Sequence, residues 1–181
     1  MIKKRCSWVE GKEDVYIRYH DEEWGIPKYD DKILFEMLIL ESFQVGLSWI
    51  TILKKREAFK KAFDDFDLDK IADYDENKVN ELLENKAIIR HKGKIEATIT
   101  NAKVFKEIQL EYESFSNYIW GFNNGKIIKS EYKTKSELSD KVAKDLKKRG
   151  MKFVGSTTIY SYLEAIGIIN NHEKDCYKYD S

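Results

Sequence analysis

The sequence predicts an all-α fold, and three observations support this prediction. Good helix formers dominate the 181 residues, whereas the two strongest helix breakers are scarce, with nine glycines and one proline. Apolar residues recur three and four positions apart in several segments, as they do on the buried face of a helix. No run alternates or repeats often enough to predict a sheet. We therefore expect roughly eight to ten helices.

Capping residues and apolar spacing place these helices along the chain. Asp30, Asp75 and Ser136 are suited to accept hydrogen bonds from the free N–H groups at a helix start. Gly150 and Gly167 stand where helices should end. Residues 123–135 contain Asn-Asn-Gly and predict an irregular turn or a crossing between lobes. Three sets of apolar residues have helical spacing: Ile33, Met37 and Leu40; Val79, Leu82 and Leu83; and Ile95, Ile99, Ala102 and Phe105.

Composition favours a soluble globular protein. The chain is 42% hydrophobic and 35% charged, as is typical of a soluble globular protein. Its 181 residues are enough to bury one sizeable core. No apolar run approaches the roughly 18 residues of a membrane span. The N-terminal segment lacks the apolar stretch of a signal peptide. We expect a cytoplasmic protein that does not engage a membrane.

Charge is balanced overall but segregated along the chain. The formal net charge is zero, which alone argues against a nucleic-acid-binding protein. Residues 64–84 carry nine acids against two lysines, whereas residues 86–94 carry four basic residues and no acid. Residues 141–152 carry six basic residues against one acid. Such basic patches can bind phosphate, although a solvated helix face is the simpler interpretation of any one of them.

The two cysteines lie near opposite ends of the chain, each with a histidine nearby. Cys6 precedes His20, and His172 precedes Cys176 by four residues. Two cysteines and two histidines form a closed tetrahedral zinc site, which here would join the two termini. The spacing of Cys6 and His20 is not that of a standard zinc finger, so buried free thiols with surface histidines remain an alternative. A disulfide is less expected, since nothing marks the chain as secreted.

A basic break separates two helical patterns in ELLENKAIIRHKGKIEATITNA. Arg90, His91, Lys92 and Gly93 fall in this break. A helix that begins there presents free N–H groups and the positive end of its dipole, which suits a phosphate. Two helices joined in this way can hold a DNA backbone without reading sequence. The alternative is an ordinary connection in a helical bundle.

Glu41 is the only charged residue within the apolar run from Met37 to Phe43. A carboxylate among apolar side chains is costly unless it is paired or functional. Gly46 should end this helix and allow a close backbone approach. The alternative places Glu41 on the solvent face of an amphipathic helix.

Aromatic residues cluster before Pro27, namely Trp8, Tyr16, Tyr19 and Trp24. Together with Trp49 they could line a slot for a planar base. Core packing is the alternative interpretation of the same residues.

Several long stretches resemble the 3-methyladenine DNA glycosylase I family in order and over nearly the whole chain. They are RCSWV, YIRYHDEEWGIP, LFEMLILESFQVGLSWITILKKRE, IIRHKGKIEATI, KDLKKRGMKFVGSTTIYSYLEAIGIINNH and HEKDC. The resemblance implies a helix-hairpin-helix DNA-repair glycosylase with a zinc site joining its termini. It thus favours the zinc site over free thiols.

The resemblance also implies residue roles. Cys6, His20, His172 and Cys176 match the zinc ligands. Glu41 matches the catalytic-site carboxylate that contacts the flipped base, and Trp49 the aromatic that stacks on it. Tyr19, Tyr16, Trp8, Trp24 and Ser161 match the surrounding pocket. Gly46 and Leu47 match the segment that approaches the gap in the duplex, and Arg90, His91, Lys92, Gly93 and Lys94 match the DNA-binding hairpin.

Two departures from the family pattern affect these expectations. Ala87 stands where related sequences can carry glycine, which affects the hairpin geometry. The stretch between Asn123 and Ser136 is short, so its loop should be trimmed. The family lacks the catalytic aspartate of other helix-hairpin-helix glycosylases, and we assign none here.

The resulting hypothesis is a monofunctional glycosylase that removes 3-methyladenine from alkylated double-stranded DNA and leaves an abasic site. No lysine lies in the matched pocket segments, so we expect no Schiff base and no strand cleavage. We expect a monomer forming one globular unit over 1–181. It has a helical core over 30–120, a hairpin around 85–94, and a zinc-joined lobe formed by 1–29 and 121–181. The rival hypothesis is a non-catalytic, zinc-containing helical DNA-binding module.

Overall fold

The computed structural model describes residues 3–180. Nine α-helices lie within this range: α1 (Asp14–Glu22), α2 (Asp31–Gln44), α3 (Trp49–Ala62), α4 (Leu68–Ala72), α5 (Glu76–Glu84), α6 (Lys92–Tyr112), α7 (Phe115–Gly121), α8 (Glu137–Lys148) and α9 (Ser156–Ala165). Short 3₁₀ helices span Ser7–Val9 and Asp64–Phe66. The fold is mostly helical, as the sequence predicts.

The predicted caps start their helices. Asp30 accepts a hydrogen bond from the Ile33 N–H at 3.0 Å, and Asp75 accepts one from the Lys78 N–H at 2.9 Å. Ser136 forms a reciprocal capping box with Ser139. These bonds satisfy N–H groups that have no partner within the helix.

Glycines follow the ends of α8 and α9, as predicted. Gly150 and Gly167 have positive φ angles of 103° and 79°. A Cβ atom on Gly167 would lie 2.3 Å from backbone atoms of Ile26 and Pro27. Position 167 therefore requires glycine, both because its φ angle is positive and because a side chain would collide with this backbone. The close approach brings the end of α9 against the N-terminal segment.

The expectation that no strand forms is wrong in one small region. β1 (Ile128–Lys129) pairs in parallel with β2 (Ile169–Asn170). The Ile128 N–H donates to the Ile168 carbonyl at 2.8 Å, and the Ser130 N–H donates to the Asn170 carbonyl at 3.2 Å. Strands of two residues are too short to show an alternating pattern, so the sequence carries no signal for them.

Helix α2 lies at the centre of the molecule. Its residues from Leu34 to Phe43 are all buried, and it packs against α3, α6, α7 and α9. A helix that is apolar on every side is a core helix. Among the described residues, no helix is long and apolar enough to cross a membrane.

Candidate active site

A cavity of about 960 Å³ opens beside the C-terminal half of α2. Its walls come from the N-terminal segment, α1, α9 and residues 129–132. All seven residues that the sequence analysis assigns to catalysis or base binding line it: Trp8, Tyr16, Tyr19, Trp24, Glu41, Trp49 and Ser161. Residues more than 150 positions apart thus meet at one site.

Glu41 lies in the wall of this cavity and not on a solvent face. Its side chain is only 3% exposed, and its Oε2 atom is buried without a hydrogen-bond partner. Burial, followed by the nearby charge of Glu164, raises the pKa of the Glu41 carboxyl well above its usual value. Such a costly group is accounted for if a ligand supplies the missing partner.

The aromatic residues form two connected groups around the cavity. Trp8 meets Tyr16 and Trp24 edge to face, with ring centroids 5.0 Å apart in both pairs. Tyr19 and Trp49 have centroids 5.4 Å apart in a tilted arrangement. The Nε1 atoms of Trp8 and Trp49 are buried without partners. These rings pack against one another and also present their surfaces to the cavity, so the packing and slot interpretations both hold.

A second carboxylate in the cavity, Glu164, was missed by the sequence analysis. It is 5% exposed and lies on α9, one helical turn after Ser161. Asn171, also missed, donates a hydrogen bond to its Oε1 atom at 2.8 Å. Burial raises the pKa of Glu164 to about 7. The available signal was the one that identified Glu41, a lone acid within an apolar run.

The turn between α2 and α3 projects from the protein next to the cavity. Gly46 has a φ of 81° and is exposed, which explains why α2 ends just before it. Val45 and Leu47 flank it, with exposures of 43% and 39%. Gln44 and Trp49, at the two ends of the turn, both line the cavity. The turn therefore carries exposed apolar side chains at the edge of the site.

The predicted hairpin consists of α5, residues 85–91 and the start of α6. Arg90 is exposed, and the His91 side chain caps α6 by accepting from the Lys94 N–H at 3.1 Å. Lys92 is exposed and forms ion pairs with Glu76 at 3.2 Å and Glu96 at 3.7 Å. Gly93 lies in the first turn of α6. The helix start thus presents the exposed side chains of Arg90 and Lys92 together with the backbone N–H groups of its first turn.

Lys94 does not sit where a phosphate-binding side chain should. It is 6% exposed, and its Nζ donates to the carbonyl oxygens of Phe43 at 2.8 Å and Val45 at 2.6 Å. These carbonyls lie at the C-terminal end of α2, where the helix dipole favours a cation. Lys94 therefore connects the hairpin helix to the projecting turn. Position in a basic segment could not distinguish this inward lysine from its exposed neighbours.

Ala87 does not distort the hairpin. It has no positive φ angle, and its N–H donates to the Asn85 side chain at 3.0 Å. Its carbonyl accepts from Lys55 Nζ at 3.1 Å. A backbone of this kind accommodates alanine as readily as glycine.

Three of the four predicted metal ligands converge at one point. The ligand atoms of Cys6, His20 and Cys176 lie within 4.8 Å of one another, and all three residues are buried. His172 lies beside this group, since its ring centroid is 5.0 Å from that of His20. Neither cysteine is in a disulfide.

The histidine environments fit a metal. The Nδ1 atoms of His20 and His172 are each 2.8 Å from a side-chain oxygen, of Asp21 and Asn170 respectively. This arrangement directs both Nε2 atoms inward, and the Nε2 of His172 is buried without a partner. Metal-binding histidines characteristically make such outer hydrogen bonds. Burial also lowers the pKa of His172 to about 4, which favours the neutral imidazole that binds metals.

Comparisons with known proteins give matches over nearly the whole chain. A protein-family model described as methyladenine glycosylase matches residues 8–179. The chain is 45% identical to the DNA-3-methyladenine glycosylase 1 of Escherichia coli, over 96% of this chain and 95% of that protein. It is 43% identical to the DNA-3-methyladenine glycosylase of Haemophilus influenzae, over 95% and 96% of the two chains.

Solved structures show the same fold. A crystal structure of a 3-methyladenine DNA glycosylase I has a TM-score of 0.93 and 45% identity, covering 97% of this chain and 99% of that chain. The Staphylococcus aureus enzyme, whose structure describes the basis of 3-methyladenine recognition, has a TM-score of 0.93 and 39% identity. It covers 98% of this chain and 97% of that chain.

Proposed function

Because the chain belongs to the methyladenine glycosylase family, we propose a DNA-repair function carried out in the cavity around Glu41. The protein is a DNA-3-methyladenine glycosylase. It hydrolyses the N-glycosidic bond of 3-methyladenine in alkylated DNA, releases the free base and leaves an abasic site. The observation that best supports this assignment is a buried carboxylate without a partner, in a cavity walled by aromatic rings.

Recognition of the base depends on its charge. A base stacked in a duplex cannot reach the cavity, so it must be flipped out, at a cost of a few kcal/mol. Methylation at N3 makes adenine cationic, and a cation beside Glu41 favours the ionised form of this buried carboxyl. The resulting carboxylate and the faces of Trp49 and Tyr19 attract the methylated base more strongly than neutral adenine. Glu41 thus acts mainly in recognition.

Little acid catalysis is required for the bond cleavage itself. The bond between the sugar C1′ and N9 of the base breaks, and its electron pair passes to N9, which neutralises the base. Water then adds to C1′ and loses a proton.

Water rather than a lysine is the proposed nucleophile. Two lysines, Lys129 and Lys174, line the cavity; Lys174 belongs to the matched segment HEKDC, whereas Lys129 lies outside the matched segments. Both are exposed, and Lys129 pairs with Asp180 at 3.1 Å. A lysine nucleophile is activated by desolvation in an apolar pocket or by a neighbouring cation, and exposed side chains lack the first of these, so we retain hydrolysis without strand cleavage.

The metal in this proposal is structural zinc held by Cys6, His20, His172 and Cys176. A closed set of four protein ligands contributes folding energy and leaves no position open for a substrate. Other contacts also join the two ends of the chain. The Tyr177 N–H donates to the Lys4 carbonyl at 2.9 Å, and the Ser7 N–H donates to Glu173 at 3.0 Å. These contacts support a lobe formed by residues 1–29 and 121–181 beside a helical core over 30–120.

DNA binding uses the hairpin and the projecting turn in this proposal. Arg90, Lys92 and the N–H groups near Gly93 hold the phosphate backbone. Leu47 and Gly46 approach the gap that the flipped base leaves, as apolar wedges do in other duplex-deforming proteins. Lys94 positions this turn relative to the hairpin through its two carbonyl contacts.

The rival hypothesis, a non-catalytic DNA-binding module, requires only the hairpin and the zinc site. It gives no reason for Glu41 and Trp49 to line one cavity, as they do. The deciding experiment is release of free base from methylated duplex DNA by the purified protein. We expect free 3-methyladenine and intact strands carrying abasic sites. Binding to the duplex without release of any base would favour the rival.

A further inference from the structure

We propose that Glu164 is a second base-recognition residue, whose free Oε2 atom accepts a hydrogen bond from the exocyclic amino group of the flipped base. This inference rests on the proposed function and extends it by assigning a role to a residue of the same cavity. Glu164 is only 5% exposed and lines the cavity with Glu41.

The surroundings of Glu164 fix one carboxylate oxygen and leave the other free. Oε1 accepts a hydrogen bond from Asn171 Nδ2 at 2.8 Å. The same nitrogen donates to the Tyr160 hydroxyl at 2.7 Å, and this hydroxyl accepts from the Lys133 N–H at 3.2 Å. The hydrogen bonds of the described residues include none to Oε2. A carboxylate held in this way is already oriented before a ligand arrives.

The chemistry of the cavity matches the chemistry of an adenine-type base. The exocyclic amino group carries two N–H donors, and a carboxylate is an acceptor only. Two buried carboxyl groups line the cavity: Glu41, whose Oε2 atom is buried without a partner, and Glu164, whose side-chain hydrogen bond among the described residues goes to Oε1 and not to Oε2. Two acceptors therefore face a ligand with two donors, and aromatic rings cover its faces.

The two carboxylates also favour a cation. Burial disfavours the charged forms of both groups when the cavity holds no base, and repulsion by Glu164 further disfavours the charged form of Glu41, in agreement with their raised pKa values. The methylated base is cationic while it is still bonded to the sugar, and in that state it offsets this repulsion, whereas neutral adenine does not. Two carboxylates thus discriminate more strongly than one between the methylated base and its normal counterpart.

The test compares Glu164→Gln with the wild-type protein. Glutamine can keep its oxygen towards Asn171, which places an amide N–H₂ donor where Oε2 stood. The probes are 3-methyladenine and 3-methylhypoxanthine, in which a carbonyl oxygen replaces the amino group. Dissociation constants are measured by calorimetry. Glu107→Gln is the matched control, because Glu107 is exposed on α6 and outside the cavity but carries the same charge.

We expect Glu164→Gln to bind 3-methyladenine roughly 10- to 100-fold more weakly, the range for a hydrogen bond to a charged group. Its preference for 3-methyladenine over 3-methylhypoxanthine should fall in parallel, and Glu107→Gln should match the wild type. A structural role alone would leave this preference unchanged. An unchanged preference in a folded Glu164→Gln protein overturns the inference.

A second variant covers the case in which Glu164→Gln does not fold. Glu164→Asp keeps the carboxyl but withdraws it by one methylene group, and it should show the same loss of preference to a smaller extent. Wild-type preference in Glu164→Asp would then overturn the inference. Base release from methylated DNA by the wild-type protein tests the proposed function separately, so the two can fail independently.

Discussion

At the scale of single residues, the cavity depends on carboxyl groups kept out of water. Glu41 lies in the core helix α2 with an oxygen that has no partner, a state that costs free energy until a ligand binds. The functional residue is therefore one that the fold tolerates rather than one that stabilises it.

Glu41→Gln keeps the shape of this side chain and removes its charge. We expect weaker binding of 3-methyladenine and slower excision, each by about 1–3 kcal/mol, the cost of losing a charge-assisted hydrogen bond. The thermal midpoint should be equal to or above that of the wild type. Binding is measured by calorimetry and excision by single-turnover base release. Wild-type values for both would exclude Glu41 from the site.

The pKa of Glu164 predicts a dependence of stability on pH. Burial raises this pKa to about 7, above its value of about 4.3 in an unfolded chain. The folded state then holds the proton more tightly, so the carboxyl stabilises the fold at low pH and loses this contribution as pH rises through about 7. The free energy of unfolding should decrease by up to about 3 kcal/mol between about pH 5 and pH 8.

In Glu164→Gln, the free energy of unfolding should lack the part of its decrease with pH that comes from the Glu164 carboxyl. Denaturant titrations of both proteins across that range measure the difference, and the titration of metal ligands cancels because it is common to both. Parallel stability curves for the two proteins would contradict the assignment of this pKa.

At the scale of elements, the basic segment after α5 divides into an outward and an inward part. Arg90 and Lys92 are exposed, whereas Lys94 is buried against the end of α2. The two parts therefore predict different consequences for DNA binding.

Replacing Arg90 and Lys92 together by alanine should weaken binding to damaged and undamaged duplexes alike. Each lost phosphate contact should reduce the slope of log K against log salt by about 0.9. Fluorescence anisotropy at several salt concentrations measures both quantities. An unchanged slope would mean that these residues do not contact phosphate.

Lys94→Met keeps an apolar chain of similar length but removes both hydrogen bonds to α2. We expect a loss of stability of about 1–3 kcal/mol, because two carbonyl groups lose a charged donor. Excision should also slow, while the salt slope for undamaged DNA stays at the wild-type value. A reduced slope instead would restore Lys94 to the phosphate-binding group.

At the scale of the whole molecule, local signals predicted the helix starts, whereas the roles of the site residues were assigned through the resemblance to a known family. Asp30, Asp75 and Ser136 carry a complete chemical reason for a helix start, so the structure agrees at each. The β1–β2 pair and the inward direction of Lys94 depend on residues distant in the chain. Glu164 stands alone in an apolar run of the sequence, as Glu41 does, so its burial was accessible to the same reasoning.

The site joining the two ends of the chain can be tested with Cys176→Ala. We expect loss of about one equivalent of bound zinc and a lower thermal midpoint, since structural zinc contributes directly to folding energy. Metal content is measured by atomic emission, and melting by circular dichroism. Ser139→Ala, a buried residue of α8 far from the cysteines in sequence, controls for general destabilisation. A metal-free protein with full wild-type stability would contradict the zinc assignment.

One wall serves both the metal ligands and the base. The Trp24 ring lies 4.6 Å from that of His172 and 6.0 Å from that of His20, and it also lines the cavity. If metal loss displaces this ring and weakens base binding by some factor, thermodynamic reciprocity requires the bound base to tighten metal binding by the same factor. The protein with 3-methyladenine bound would then lose zinc to a chelator less readily than the protein without the base. A single coupling free energy would then describe both the effect of the metal on base affinity and the effect of the base on metal affinity.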